Sequence, residues 1–286
     1  MAAQQNHTAH RLLARYRIRP TKRLGQNFLV NRGVLEKIVR AVAPEAGERL
    51  LEIGPGLGTL TRLLAMAGAH VTAIEADRRM VELLEAELGG RPNVRIVYGD
   101  ILEVDLDALI PTPRWRAVGN IPYNISSPIL FLLRDQRQLF SEAILMLQKE
   151  VAERLTARVG TKEYGLLTIG LGAVGTCERI FDVAPGSFWP PPKVTSSIVR
   201  LRFPELPPYP MLDLAAFTRV VRAAFGKRRK TIRNALVMAA AEGQYGFTPT
   251  PRAIDVALST AGIDPVLRPE TVTIAHFAAL TGALAT

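Results

Sequence analysis

The sequence is poor in the residues from which many small catalytic and metal centres are made. A single cysteine, Cys177, among 286 residues excludes an internal disulfide and any cysteine-based zinc cluster. The four histidines (His7, His10, His70 and His276) stand at no ligand spacing, so no metal is expected. No apolar run approaches the roughly 20 residues that cross a bilayer, which excludes a membrane-spanning helix. The first residues carry His, Gln and Arg rather than a hydrophobic signal core, so a soluble, cytoplasmic protein with no membrane partner is expected. Acidic residues are also scarce: 26 Asp and Glu stand against 36 Lys and Arg, a net charge of +10. What remains is globular, with 48% apolar and 22% charged residues, too apolar for a disordered chain. At ~100–200 residues per domain, the length fits one large domain alone or a large and a small one.

The positive excess is concentrated at the two ends. Residues 1–49 hold 10 basic and 3 acidic residues, residues 50–204 hold 17 of each, and residues 205–286 hold 9 and 6. Five of those last nine bases fall within Lys227–Arg233. A neutral middle between basic ends suits a polyanionic partner larger than a central site. Nucleic acid is the first candidate, because phosphate neutralisation by Lys and Arg supplies most sequence-independent affinity. With 29 Arg against 7 Lys, compositional habit explains the choice of Arg but not its placement.

Along the chain, residues 1–23 lack periodicity and read as a flexible basic arm. Asn31 is placed to cap a helix carrying Val34, Leu35, Ile38, Val39 and Val42 at helical spacing. From Arg49 strand-like and helix-like stretches alternate: Arg49–Ile53, Thr59–Met66, His70–Glu75, Arg78–Leu88, Val94–Val97, Ala117–Gly119, Ser127–Arg134, Ala143–Gln148 and Val151–Ala157. That alternation predicts a doubly wound, mostly parallel sheet with ligands at the carboxyl ends of its strands. Ile198–Phe203 is the last strand candidate, with Leu166–Ala173 as its antiparallel edge partner. The segment Pro204–Pro210 reads as a linker, beyond which Leu212–Phe225, Lys230–Glu242, Arg252–Ala261 and Thr273–Leu284 are all helical in pattern. The expected domains are therefore 24–204, the α/β domain, and 205–286, a small all-helical domain.

The run Leu50-Leu51-Glu52-Ile53-Gly54-Pro55-Gly56-Leu57-Gly58 is a strand entering a glycine-rich turn before a helix. Glycines there let backbone approach a ligand that a side chain would push away. The spacing differs from the dinucleotide fingerprint, which disfavours NAD. Glu75 ends the second strand, where a carboxylate accepts both hydroxyls of a ribose. Asp100 ends the third, placed to accept from an adenine amino group. Either acid alone is as readily a solvated strand end; together they fit an adenosine-bearing methyl donor.

Asn120-Ile121-Pro122-Tyr123 follows the fourth strand directly. The exocyclic amine of adenine is a poor nucleophile because its lone pair is delocalised into the ring. An Asn side-chain oxygen and a neighbouring carbonyl that accept its two N–H bonds draw it towards tetrahedral geometry. Pro122 fixes φ and so holds the carbonyl before it, and Tyr123 offers a ring for stacking. Catalysis of this kind needs positioning and no tuned general base, which suits a chain without a His/Asp or Cys/His constellation. Read alone, Asn-x-Pro is also ordinary turn chemistry. Phe188, just ahead of three prolines, is either a stacking wall on a stiff loop or a buried core ring.

Taken together, these motifs resemble those of the rRNA adenine N6,N6-dimethyltransferases, specifically the small-subunit (16S) branch. The likeness runs through most of the chain. It rests on Leu24-Gly25-Gln26-Asn27-Phe28-Leu29, Glu52–Gly58, Glu75, Gly99-Asp100, Asn120–Tyr123, the Phe188–Ser196 segment and Phe225–Asn234. The resemblance implies a Rossmann-like, class I S-adenosylmethionine-dependent methyltransferase fold. It implies S-adenosylmethionine held by Gln26, Asn27, Leu29, Gly54, Gly56, Glu75, Ala76, Asp100, Ile101 and Asn120. Asn120, Ile121, Pro122, Tyr123 and Phe188 would then form the catalytic set, with Phe188 sandwiching the base opposite Tyr123. Ile121 stands where the family more commonly has Leu. The substrate implied is two adjacent adenosines in the loop of the 3′-terminal helix of small-subunit rRNA, each methylated twice by a monomeric enzyme on the assembling subunit. The RNA contacts expected are Arg17, Arg19, Lys22 and Arg23 in the arm, and Lys227, Arg228, Arg229, Lys230 and Arg233. Three other readings stay open: a large-subunit rRNA methyltransferase of the antibiotic-resistance type, a non-catalytic assembly factor on the same fold, and a NAD-dependent enzyme.

Overall fold

The computed structural model describes residues 11–21, 25–112, 114–209, 213–227 and 229–285. Its elements in chain order begin β1 Phe28–Leu29, α1 Arg32–Val42, β2 Arg49–Ile53, α2 Thr59–Met66, β3 His70–Glu75, α3 Arg78–Leu88, β4 Val94–Tyr98, α4 Leu106–Leu109, β5 Trp115–Asn120 and α5 Ser126–Asp135. They continue β6 Phe140–Gln148, α6 Lys149–Leu155, α7 Leu166–Gly172, β7 Thr176–Val183, β8 Phe188–Trp189, β9 Ser196–Arg202, α8 Leu214–Phe225, α9 Ile232–Ala241, α10 Pro251–Thr260 and α11 Ile274–Ala285. Two compact units result: one runs to Ala152 and resumes over Glu178–Phe203, the other holds Glu153–Cys177 and everything from Pro204 onward.

The first unit is built on a seven-stranded sheet in the order β4-β3-β2-β5-β6-β9-β7. The strands from β4 to β6 are parallel, and β9 runs antiparallel to β6. β2 and β3 are buried along all but their first residues, as expected of parallel strands covered on both faces, and they keep their polar Glu52 and Glu75 at or next to their carboxyl ends. Leu35, Ile38 and Val42 of α1 and Leu60 and Leu64 of α2 pack over them. From β2 the chain builds outward through β3 to β4, then returns to place β5 and β6 on the other side. The carboxyl ends of β2 and β5 therefore lie at the point where the winding reverses, the usual crevice for a ligand in such sheets. A separate two-stranded ribbon pairs β1 with β8, Phe28 opposite Trp189 and Leu29 opposite Phe188.

Three expectations are corrected. The Leu166–Ala173 segment is the helix α7, not a strand; the edge strand beside β9 is β7. A short apolar run reads equally as buried strand or buried helix, and here Ile169 and Ala173 pack with Phe217 and Val221 of α8. For the same reason residues 153–177 group with the helical unit, although a boundary at 204/205 would leave them with the sheet. Thirdly, residues 11–21 are docked rather than loose: after a helical turn over 11–15, Leu13 (2% exposed) and Ile18 (6%) bury against Met80 and Leu83 of α3. Tyr16 Oη donates to Glu87 at 3.0 Å, and Arg15 pairs with the same carboxylate at 3.2 Å.

The second unit is helical. Helices α7 to α11 share one core around Phe217, Leu236, Ile254 and Phe277. The buried Tyr164 donates its hydroxyl to the Val272 carbonyl at 3.1 Å, linking the start of this unit to the approach to its last helix. Among the described residues, no helix is long and apolar enough to cross a membrane.

Candidate active site

At the end of β2 the chain turns through three glycines in the left-handed region: Gly54 (φ +67°), Gly56 (φ +55°) and Gly58 (φ +68°). The third is also a packing requirement, since a Cβ at Gly58 would stand 2.7 Å from Leu88 and 2.8 Å from Leu84 of α3. At Gly56 the obstacle would be the Phe28 ring at 3.0 Å, so the Gly25–Phe28 segment lies close over the turn. Gly54 and Gly56 open onto a cavity of about 230 Å³ at the carboxyl ends of β2 to β5.

Glu75, at the end of β3, is 8% exposed. Its two oxygens accept the Gly56 N–H at 3.1 Å and the Asp77 N–H at 2.9 Å. Burial pushes its carboxyl above the ordinary range, while those two amides oppose the rise. Asp100, exposed beyond β4, uses Oδ1 to accept the Leu102 N–H at 3.0 Å. Glu75 and Asp100 thus face the same cavity from adjacent strands. Carboxylates at those two ends, with the glycine-rich turn of β2 on the other side of Glu75, suit the ribose and adenine of an adenosine, so the residues present fit an adenosine-bearing donor.

Asn120 closes β5. Its Nδ2 donates to the Asn27 backbone carbonyl at 2.8 Å, which leaves Oδ1 as the acceptor. The Gly25–Phe28 loop presses on the turn after β5: a Cβ at Gly25 (φ +61°) would come within 2.9 Å of Asn124 Oδ1 and 3.3 Å of Pro122. Tyr123 lines the cavity and its hydroxyl hydrogen-bonds Ser196 Oγ at 2.7 Å, which holds the ring in place. Burial raises its phenol pKa, so the ring stays neutral.

Of the expected residues, Gln26, Asn27, Gly54, Gly56, Glu75, Ala76, Asp100, Ile101, Asn120, Ile121, Pro122 and Tyr123 all line this cavity. Leu29 does not; it lies under the glycine turn beside a second, smaller cavity of about 40 Å³. Phe188 does not either. Pairing β8 with β1 turns its ring into the core with Leu29 and Leu35, 2% exposed, so of the two readings of Phe188 the structure favours the buried core ring. Phe28, inside the Leu24–Leu29 motif, and Asn124 and Ile125, just after the Asn120 motif, also line the site without having been assigned to it; their only signal in the sequence is that placement.

Glu52, the last residue but one of β2, looks in the sequence like one more strand position. It is 2% exposed, its Oε2 has no hydrogen-bond partner, and it lines the smaller cavity together with Gly54, Gly56 and Asn120. Burial, reinforced by the nearby Glu75 charge, pushes its carboxyl up to about 7.

The basic residues divide. Arg17 and Arg19 are exposed on the docked segment, whereas Lys22, Arg23 and Arg228 lie outside the described residues. In the helical unit Arg229 and Lys230 are exposed, but Lys227 is half-buried and pairs with Glu242 at 3.5 Å. Arg233 holds Asp255 through two bonds of 2.6 and 2.9 Å, which commits its guanidinium. The amides at the start of α9 are occupied too: Ile232 N–H bonds the Leu267 carbonyl at 2.7 Å and Asn234 N–H bonds Thr231 Oγ1 at 3.3 Å.

A glycine turn, two carboxylates on neighbouring strand ends and an oriented Asn-Ile-Pro-Tyr segment define an S-adenosylmethionine-dependent amino-methyltransferase. A sequence model of the family described as ribosomal RNA adenine dimethylase matches residues 18–253, and the chain belongs to that family. It is 44% identical over 273 residues to a Myxococcus xanthus protein named ribosomal RNA small subunit methyltransferase A, covering 96% of this chain and 94% of that one. A Geobacter sulfurreducens protein of the same name is 46% identical over 270 residues, with 93% and 96% covered. Among solved structures, a dimethyladenosine transferase from Plasmodium falciparum superposes with a TM-score of 0.72 at 30% identity, covering 88% of this chain and 95% of that one. The 23S rRNA methyltransferase ErmE gives 0.67 at 27% identity, with 91% and 100% covered.

Proposed function

We propose that this enzyme dimethylates N6 of two adjacent adenosines in the 3′-terminal loop of small-subunit rRNA, on the assembling subunit in the cytoplasm. The observation that carries the reading is the Asn120 amide, turned by the Asn27 carbonyl so that its oxygen is the group left to accept. The names of the Myxococcus and Geobacter relatives support the small subunit as target. Gln26, Asn27, Gly54, Gly56, Glu75, Ala76, Asp100 and Ile101 would hold S-adenosylmethionine, which when bound supplies the electrophilic methyl group.

The chain's own contribution is geometry and electrostatics. Asn120 Oδ1 and the Ile121 carbonyl accept hydrogen bonds from both N–H groups of the amine in the first transfer, and one of them accepts from the single N–H left in the second. This draws the nitrogen lone pair out of conjugation with the ring, and each transfer releases one amine proton to solvent. Tyr123 stacks on the base and keeps its plane fixed. Arg17, Arg19, Lys22, Arg23, Lys227, Arg228, Arg229 and Lys230 would hold phosphates of the RNA. Arg233, paired with Asp255, contributes little unless that pair opens.

Asn120→Ala should slow methyl transfer to unmethylated small-subunit particles by ~10²–10³-fold, the loss typical of one preorganised group acting on the reacting atoms. RNA affinity should stay near the parent's. Parental transfer by Asn120→Ala, or transfer by the parent to large-subunit RNA alone, would overturn the proposal.

A further inference from the structure

A run of hydrogen bonds leads from a carboxylate outside the donor cavity to the amide at its centre. Asp77 follows Glu75 by two residues, is 7% exposed, and caps α3 by accepting the Arg79 N–H at 3.1 Å. Its Oδ2 accepts from Gln26 Nε2 at 3.0 Å and from the Arg79 guanidinium at 2.6 Å. The other end of the same side chain, Gln26 Oε1, accepts the Thr21 N–H at 2.8 Å. Gln26 is therefore tied at both ends, and the next residue presents the carbonyl that receives Asn120 Nδ2. A reversed Asn120 amide would set oxygen against oxygen there, so this carbonyl selects the orientation. The loop has little room to move elsewhere, because it lies against Pro122 and Asn124 with no space for a Cβ at Gly25.

We propose that Asp77 is a positioning residue for methyl transfer: by holding Gln26 it fixes the Gly25–Phe28 loop, whose Asn27 carbonyl turns the Asn120 amide towards the reacting amine. The inference rests on the role of Asn120 proposed above. Arg79 holds the Asp77 carboxyl below the usual carboxylate range, so it remains a pure acceptor at neutral pH. The segment before β1 then takes part in catalysis through its backbone, beyond any contact with the donor.

Asp77→Asn tests this, because Asn caps a helix about as well as Asp but offers Gln26 an N–H in place of an oxygen. Single-turnover transfer at saturating donor and small-subunit particles should slow by roughly tenfold or more, as expected when a reacting group is misplaced. Donor affinity by calorimetry should change far less than the rate. Gln26→Leu, which leaves the α3 cap intact, should show the same loss of rate at saturating donor, together with a loss of donor affinity that Asp77→Asn does not share, because Gln26 also lines the donor cavity. Combining Asp77→Asn with Gln26→Glu reverses donor and acceptor: the new carboxylate takes an N–H from position 77 and keeps that of Thr21. This pair should recover most of the rate. Parental turnover in Asp77→Asn, a loss confined to donor affinity, or no recovery in the double variant would each overturn the proposal. Asn120→Ala in the same assay is read separately: parental transfer there removes the amide's role itself, and with it the premise.

Discussion

At the corner where the Gly25–Phe28 loop meets Asn120, polar groups are bound to one another within the same unit: Asn120 to Asn27, Gln26 to Asp77, Tyr123 to Ser196, Glu75 to Gly56. In the Lys227–Arg233 segment the arrangement is looser. Arg229 and Lys230 project into solvent, and the two flanking cations pair with Glu242 and Asp255 at the surface. The difference fits the two tasks proposed above. Steering one nitrogen lone pair demands sub-ångström placement, which only mutual restraint supplies. Gripping a phosphate backbone demands reach and charge, for which long solvated side chains suffice.

The largest effect that would sharpen this contrast lies at Phe188. If the ring belongs to the restrained region, Phe188→Ala should lower the unfolding free energy by ~3–5 kcal/mol in denaturant titrations, with slower transfer only as a consequence. Parental stability with slow transfer would return Phe188 to a role on the base.

Glu52 provides the next test, on the charge side. Its folded pKa of about 7 exceeds the ordinary 4.5, so the folded state binds its proton more tightly than the unfolded chain does. Its contribution to stability is full below about pH 4.5 and is lost as pH rises through about 7, by at most ~3 kcal/mol at 1.36 kcal/mol per unit. Stability of the donor-free parent should therefore decline across that window, and Glu52→Gln should flatten the decline. The raised carboxyl of Glu75 leaves part of the slope in both proteins. Identical slopes in urea titrations at several pH values would mean that Glu52 is not the buried acid responsible.

The smallest effect belongs to the solvated region. Replacing Arg229 and Lys230 with Ala should weaken binding to all RNA sequences alike and reduce the salt slope by ~0.7–0.9 for each phosphate left without its cation. Donor affinity should not move. A slope equal to the parent's would make the segment an ordinary helix approach, and the contrast drawn above would lose its second half.

Much of the active corner was legible because its residues sit at fixed places relative to strand ends: the glycine turn after β2, Glu75 after β3, Asp100 after β4 and Asn120 after β5. Helices α8 to α11 were legible from their apolar period. What was not legible depends on pairings distant in sequence. Phe188 enters the core because β8 finds β1, some 160 residues earlier. Leu13 and Ile18 bury without any period of their own because α3 offers Met80 and Leu83. The run from Leu166 to Ala173 is apolar on every side, so its helix was decided by its neighbours in the second unit. Nothing in the sequence singles out Asp77; the fold makes it the cap of α3 and brings its other oxygen to Gln26.

The place of β9 in the sheet also bears on how the chain is made. β6, nearly apolar and buried from Ala143 to Leu147, receives one neighbour from β5, already synthesised, and the other from β9, which leaves the ribosome about fifty residues later. During that interval β6 is an unprotected sheet edge of the kind that recruits foreign strands. Elongation delayed between residues 148 and 196 thus prolongs the stage at which a nascent chain is most prone to aggregate. The strand that completes the sheet is also the one whose first residue, Ser196, hydrogen-bonds the Tyr123 hydroxyl, so the Tyr123 ring gains its restraint only when the hazardous edge is closed.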